Sequence, residues 1–72
     1  MMTLHTVAAA TLEAEAARIC EYADRSMPAW VIVGEGDRYA EVMAQARALR
    51  RAASIRGIAA RRDYLRDAGF SV

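Results

Sequence analysis

The run Pro28-Ala29-Trp30-Val31-Ile32-Val33-Gly34-Glu35-Gly36-Asp37 decides how this chain is read. Val31, Ile32 and Val33 are β-branched and Trp30 is aromatic, types that favour a pleated, packed surface. Pro28 cannot continue a preceding helix without losing a backbone hydrogen bond, and it biases Met27 towards extended geometry. Two glycines close the run. The stretch 29–33 therefore reads as a strand, and its apolar character on both faces predicts cover on both sides. From Asp37 the period changes to that of a helix, with Asp37 placed as its N-cap.

The chain offers no second good strand. A lone strand leaves its backbone donors and acceptors unpaired, which is costly when they are buried. Pairing with the same strand of a second copy repairs this, as does pairing with a partner's sheet edge. The sequence thus predicts a mainly α fold (α+β) in the order α-β-α-α. It forms one domain over residues 1–72, with its short strand paired across a homodimer. The expected elements are a helix over about 4–25, a strand over 29–33, and helices over 37–54 and 58–68.

The helices follow from periodicity. Leu4, Ala8, Leu12, Ala16, Ile19 and Ala23 recur at three- and four-residue spacing, laying one apolar stripe along the first. In the second, Tyr39, Val42, Ala46, Leu49 and Ala53 form a seam suited to another helix. Trp30, Val31, Ile32, Val33, Tyr39, Val42 and Leu49 are accordingly the expected dimer interface. Gly57 is a candidate helix break. Beyond it Tyr64, Leu65 and Ala68 give the packing side of the last helix, Gly69 stops it, and Phe70 and Val72 supply an apolar tail.

Length sharpens the expectation of self-association. A chain of 72 residues buries only roughly 60–65% of its unfolded surface and is marginal alone. Its single cysteine, Cys20, cannot form an internal disulfide and reads as a reduced, buried thiol. No metal-ligand cluster is visible, and His5 stands without a second ligand type nearby. Alanine is abundant, and alanine packs helices closely while burying little area. No basic leader or membrane-length apolar run is evident, so the expected setting is cytoplasmic.

Charge is unevenly placed. The net charge is +1, yet residues 1–36 carry a negative excess and residues 37–72 a positive one. Every basic residue is arginine. Arg47, Arg50, Arg51, Arg56, Arg61 and Arg62 lie in a stretch without any acid. If the helix ran unbroken through Gly57, Arg61 and Arg62 would extend the face of Arg47, Arg50 and Arg51. The expected partner-binding residues are therefore Arg47, Arg50, Arg51, Arg61 and Arg62. They would meet an acidic protein surface, nucleic-acid phosphates, or the acids Glu13, Glu21 and Asp24 of the first helix.

Several known chemistries fit poorly. Val31-Ile32-Val33-Gly34-Glu35-Gly36 has the outline of a dinucleotide-binding turn. However, Tyr39 stands where a third glycine is needed, Glu35 and Asp37 repel phosphate, and that fold requires several parallel strands. Ala53 and Gly57 match the turn spacing of a helix-turn-helix, but Asp63 falls where its second helix needs a buried aliphatic. The strand–helix–helix order from Ala29 to Ala68 resembles the plan of ribbon-helix-helix dimers, although a strand apolar on both faces carries nothing to read base edges. No catalytic constellation and no cofactor site emerge. The expected function is that of a non-enzymatic regulator or inhibitor that binds a larger protein partner, of the kind phages and mobile elements encode in number. The alternative is a nucleic-acid-binding regulator that uses the arginine face.

Overall fold

The computed structural model describes residues 6–72. Within them the chain forms three helices, α1 (Ala9–Ile32), α2 (Asp37–Ala53) and α3 (Ile58–Asp67). Leu4 and His5 lie outside the described residues. α1 and α2 pack against each other as a helical hairpin, and α3 closes over one end of it. The molecule is elongated, with extents of 42 × 20 × 17 Å.

The expected strand is not there. Residues 29–32 are the last turn of α1, which does not stop at Arg25 but runs on through Pro28. The α-β-α-α order is therefore replaced by three helices, and the topological likeness to ribbon-helix-helix dimers falls with the strand. The reason lies in the difficulty the strand posed. Helical backbone satisfies its donors and acceptors within the segment, where a lone strand must borrow a partner. β-branched residues cost a helix only tenths of a kcal/mol each, about 0.7 at most. Helical continuation also keeps Trp30 seven residues after Ala23 on the packing face, and both are buried. Pro28 remains in the helix interior with its side chain exposed.

The end of α1 is set by Gly34. Its φ of 78° is left-handed, a conformation that glycine adopts without steric cost. The Glu35 amide donates to the Trp30 carbonyl at 2.7 Å and the Gly34 amide to that of Val31 at 3.2 Å. This is a Schellman closure, which turns the chain directly into α2. Asp37 is not the N-cap: Gly36 holds that position, and no side chain caps the helix. Asp37 instead places its charge in the first turn, near the positive end of the helix dipole. The end of α3 repeats the α1 closure. There Gly69 has φ 97°, and the Phe70 amide donates to the Leu65 carbonyl at 2.9 Å. Leu65 and Phe70 are both buried, the apolar contact that accompanies this motif.

The core joins Val7, Leu12, Ala16 and Ile19 to Ala46, Leu49, Ala52, Leu65 and Phe70. Leu12, Ala16, Ile19 and Ala23 form the buried stripe of α1, while Ala8 is exposed. The α2 seam is spent inside the chain: Leu49 and Ala46 are fully buried, and Tyr39, Val42 and Ala53 are half-buried. Trp30, Tyr39, Val42 and Leu49, expected at a dimer interface, thus face their own chain. Val31, Ile32 and Val33 remain exposed. Cys20 is half-buried beside the core, with a free thiol.

Gly57, with φ 87°, separates α2 from α3, and this sends Arg61 inward. Its guanidinium group donates to the carbonyls of Ala52 (3.0 Å), Val7 (2.6 Å), Ala53 (3.4 Å) and Ile55 (2.7 Å). The last carbonyls of a helix have no partner within it, and a cation there also opposes the negative end of the dipole. Arg61 thereby ties α3, the end of α2 and the segment before α1 into one corner.

Two outcomes test this architecture. Arg61→Ala is expected to lower the unfolding free energy by about 2–3 kcal/mol, a large share of the roughly 4–11 kcal/mol typical of a chain this long. Urea denaturation checks this, and Arg61→Lys should recover only part of the loss because one ammonium cannot span four carbonyls. Pro28→Ala is expected to raise the unfolding free energy by about 1–3 kcal/mol, since the new amide can bond to the Asp24 carbonyl. No gain would place Pro28 outside a helix.

Candidate functional site: an arginine-lined groove and an apolar tip

Gly57 divides the basic residues into two groups. Arg47, Arg50 and Arg51 project from the last turns of α2, together with Ala44, Ala48 and Tyr64, around an open groove of about 420 Å³. Arg61 is turned away into the corner described above. Arg56 and Arg62 are exposed but do not line the groove. The single long basic face envisaged for an unbroken helix is therefore replaced by a cluster of three arginines beside a half-buried tyrosine.

The acids of α1 do not neutralise this cluster. Ion pairs among the described residues are Arg18–Glu15, Arg38–Glu35 and Arg66–Asp63, each three residues apart on the chain. Glu13 and Glu21 are exposed, and Asp24 accepts a hydrogen bond from the Tyr39 hydroxyl at 2.9 Å. None of Arg47, Arg50, Arg51, Arg56 and Arg62 has a side-chain hydrogen bond or ion pair among the described residues. Their guanidinium donors are open to an outside acceptor, and the planar fork suits carboxylate or phosphate oxygens.

A second surface lies at the α1–α2 turn. Ile32 is 84% exposed, Val33 66%, Val31 61% and Met27 42%. Isolated exposed apolar residues are ordinary, whereas these four crowd the end of α1. Its base is firm. Trp30 packs edge-on against Tyr22, with ring centroids 5.7 Å apart, and the Arg38 guanidinium lies 5.8 Å from the Trp30 ring centre. Glu35, Asp37, Arg38 and Glu41 surround a shallow depression beside the turn, where acids outnumber the one arginine. The sequence marks Val31, Ile32 and Val33 as an interface, but as part of a strand, and leaves Met27 out. The sequence already places the charges of Glu35 and Asp37 beside this turn, and the helical register of α2 brings Glu41 to join them.

Among the described residues, no group of His, Cys, Asp and Glu is arranged to hold a metal ion, and no helix is long and apolar enough to cross a membrane. No protein-family model, curated protein or solved structure matches this chain.

The Asp24–Tyr39 bond joins α1 to α2 between the two surfaces and has a pH signature. The carboxylate accepting the phenol hydroxyl, together with its negative charge, raises the Tyr39 pKa. A raised folded-state pKa means that the bond's stabilising contribution is complete below the phenol's ordinary pKa of about 10 and is lost as pH rises through the higher folded value. Tyr39→Phe is expected to remove this part of the alkaline loss of stability. Urea midpoints of both proteins between about pH 8 and pH 11 check this, and parallel curves would exclude it.

Proposed function

We propose that this chain is a small non-enzymatic regulator or inhibitor that acts by binding an acidic surface on a larger protein through the arginine-lined groove. The observation that carries the reading is the set of unspent guanidinium donors on Arg47, Arg50 and Arg51. These donors stand around a groove whose remaining lining is alanine and tyrosine. Arginine and tyrosine are the residue types most enriched where protein surfaces bind tightly. The alanine floor lets a partner backbone or side chain approach α2 closely. The apolar tip at Val31, Ile32 and Val33 supplies a second contact, whose desolvation would add affinity that exposed charges alone do not.

Phosphate contact by the same arginines is the second reading. It is favoured by five exposed arginines, Arg47, Arg50, Arg51, Arg56 and Arg62, with no acid between them. It is weakened by a net charge of only +1 and by a groove with one aromatic ring, since nucleic-acid domains are usually clearly basic.

The two readings separate in one experiment: capture of partners from the source cell's lysate on the tagged full chain, with and without nuclease. Under the protein reading, a defined protein survives nuclease and is lost with Arg50→Glu, while that variant keeps the parent's melting temperature. Ile32→Ser should weaken the same complex about tenfold or more. Recovery of nucleic acid, with affinity falling steeply as salt rises, would establish the second reading instead.

A further inference from the structure

The outer side of α2, opposite its buried seam, carries a second regular pattern. Asp37, Ala40, Ala44, Arg47 and Arg51 recur at intervals of three and four residues, flanked by Glu41 and Ala48. That spacing defines one helix face. All of these residues are exposed except Ala48, which is half-buried. The face is acidic at its N-terminal end, alanine in the middle and basic at its C-terminal end. Asp37 and Glu41 stand four apart, as do Arg47 and Arg51, so each end holds a like-charge pair that weakens an isolated helix. None of the four has an ion-pair partner among the described residues.

This face is complementary to itself. When two copies of α2 are laid antiparallel about a twofold axis at Ala44, Asp37 of one meets Arg51 of the other. Glu41 meets Arg47, Ala40 meets Ala48, and Ala44 meets Ala44. Every charged residue of the pattern finds an opposite charge, and every contact near the axis is small. Alanine lets helix axes approach to about 8 Å, and antiparallel helices oppose their dipoles favourably. A twofold contact is also closed, so it yields a dimer rather than a filament. The N-terminal half of the second α2 would fill the groove lined by Ala44, Arg47, Ala48 and Arg51.

We infer that the outer face of α2 is a weak homodimer interface in which a second copy of this chain occupies the arginine groove. The inference shares that groove with the partner-binding reading but does not depend on it. Dimerisation and partner capture then compete for Arg47 and Arg51, and dissociation exposes the binding groove. One helix face falls short of the roughly 1,200–2,000 Å² of stable interfaces, so the dimer forms only at high protein concentration. Its exposed ion pairs make it weaker in salt.

Sedimentation equilibrium of the full chain across a concentration series tests this. The expected result at low salt is a mass rising from the 7.9 kDa monomer towards twice that value, with weaker association at high salt. Asp37→Arg and Arg51→Asp are each expected to weaken the dimer about tenfold. The double variant Asp37→Arg/Arg51→Asp should restore it to within about threefold, because the pair is regenerated with its signs exchanged. Ala44→Trp, an uncharged change at the twofold axis, should abolish association. Circular dichroism verifies that each variant retains its helices.

Three results would overturn the inference: a constant 7.9 kDa mass, a double variant as dissociated as the single ones, or a dimer that persists in Ala44→Trp. Arg50 borders the groove but makes none of the paired contacts, so loss of capture in Arg50→Glu with the dimer unchanged bears on the partner reading alone. A monomeric parent that still captures its partner would remove only the dimer.

Discussion

The Arg61 guanidinium is the constraint on which the rest of the described fold depends. A short chain with three helices has helix ends to satisfy and few side chains to do it with. Neither Gly36 nor Gly57 caps a helix with a side chain, and no side chain caps α1. The carbonyl ends are a separate need, and one arginine of α3 meets it where α2 ends and Val7 passes, by donating to four carbonyls at once. No buried side-chain nitrogen or oxygen among the described residues lacks a partner, so this corner is polar yet satisfied, the condition under which such a network rigidifies a fold.

Around that corner the packing is alanine-rich. Ala16, Ala23, Ala46 and Ala52 are all fully buried, which brings helices close without filling much volume. The larger groups Leu12, Leu49 and Leu65, one from each helix, are fully buried in the same core cluster. This division explains how so small a chain forms a hairpin at all. Backbone closeness supplies many dispersion contacts, while a few leucines supply most of the area removed from water.

Much of the helical plan was legible. The stripe Leu12–Ala16–Ile19–Ala23 and the seam Ala46–Leu49 are strongly periodic, and Gly69 ends α3 as its position suggests, while α2 stops at Ala53 and Gly57 stands at the start of α3. The segment after Pro28 was not legible, because its two signals are ambiguous in the same direction. An apolar run of five residues has no period, and a proline inside a helix differs from one before a strand only in context. The requirement that every backbone group find a partner did carry the answer, but it was met by helix continuation instead of a second chain. The candidate site was legible in composition and illegible in geometry. Arginines 47 to 62 form one sequence cluster, yet the positive φ at Gly57 rotates Arg61 into the interior and leaves Arg47, Arg50 and Arg51 at the groove. No sequence period announces which cation of such a cluster will serve the backbone.

The unequal cohesion of the two ends of the molecule has a dynamic consequence. The main core and the Arg61 corner lie at one end, whereas the α1–α2 turn is held by Trp30, Tyr22, Arg38 and the Asp24–Tyr39 bond. Opening the turn leaves the main core and all four Arg61 bonds intact. Proteins open in units whose cost follows their buried contacts. The last turn of α1 is thus cheaper to release than the main core, and its backbone amides should exchange with solvent hydrogen sooner than those around Ala46 and Leu49. The surface with the most exposed apolar area is then also able to reshape itself against whatever it touches.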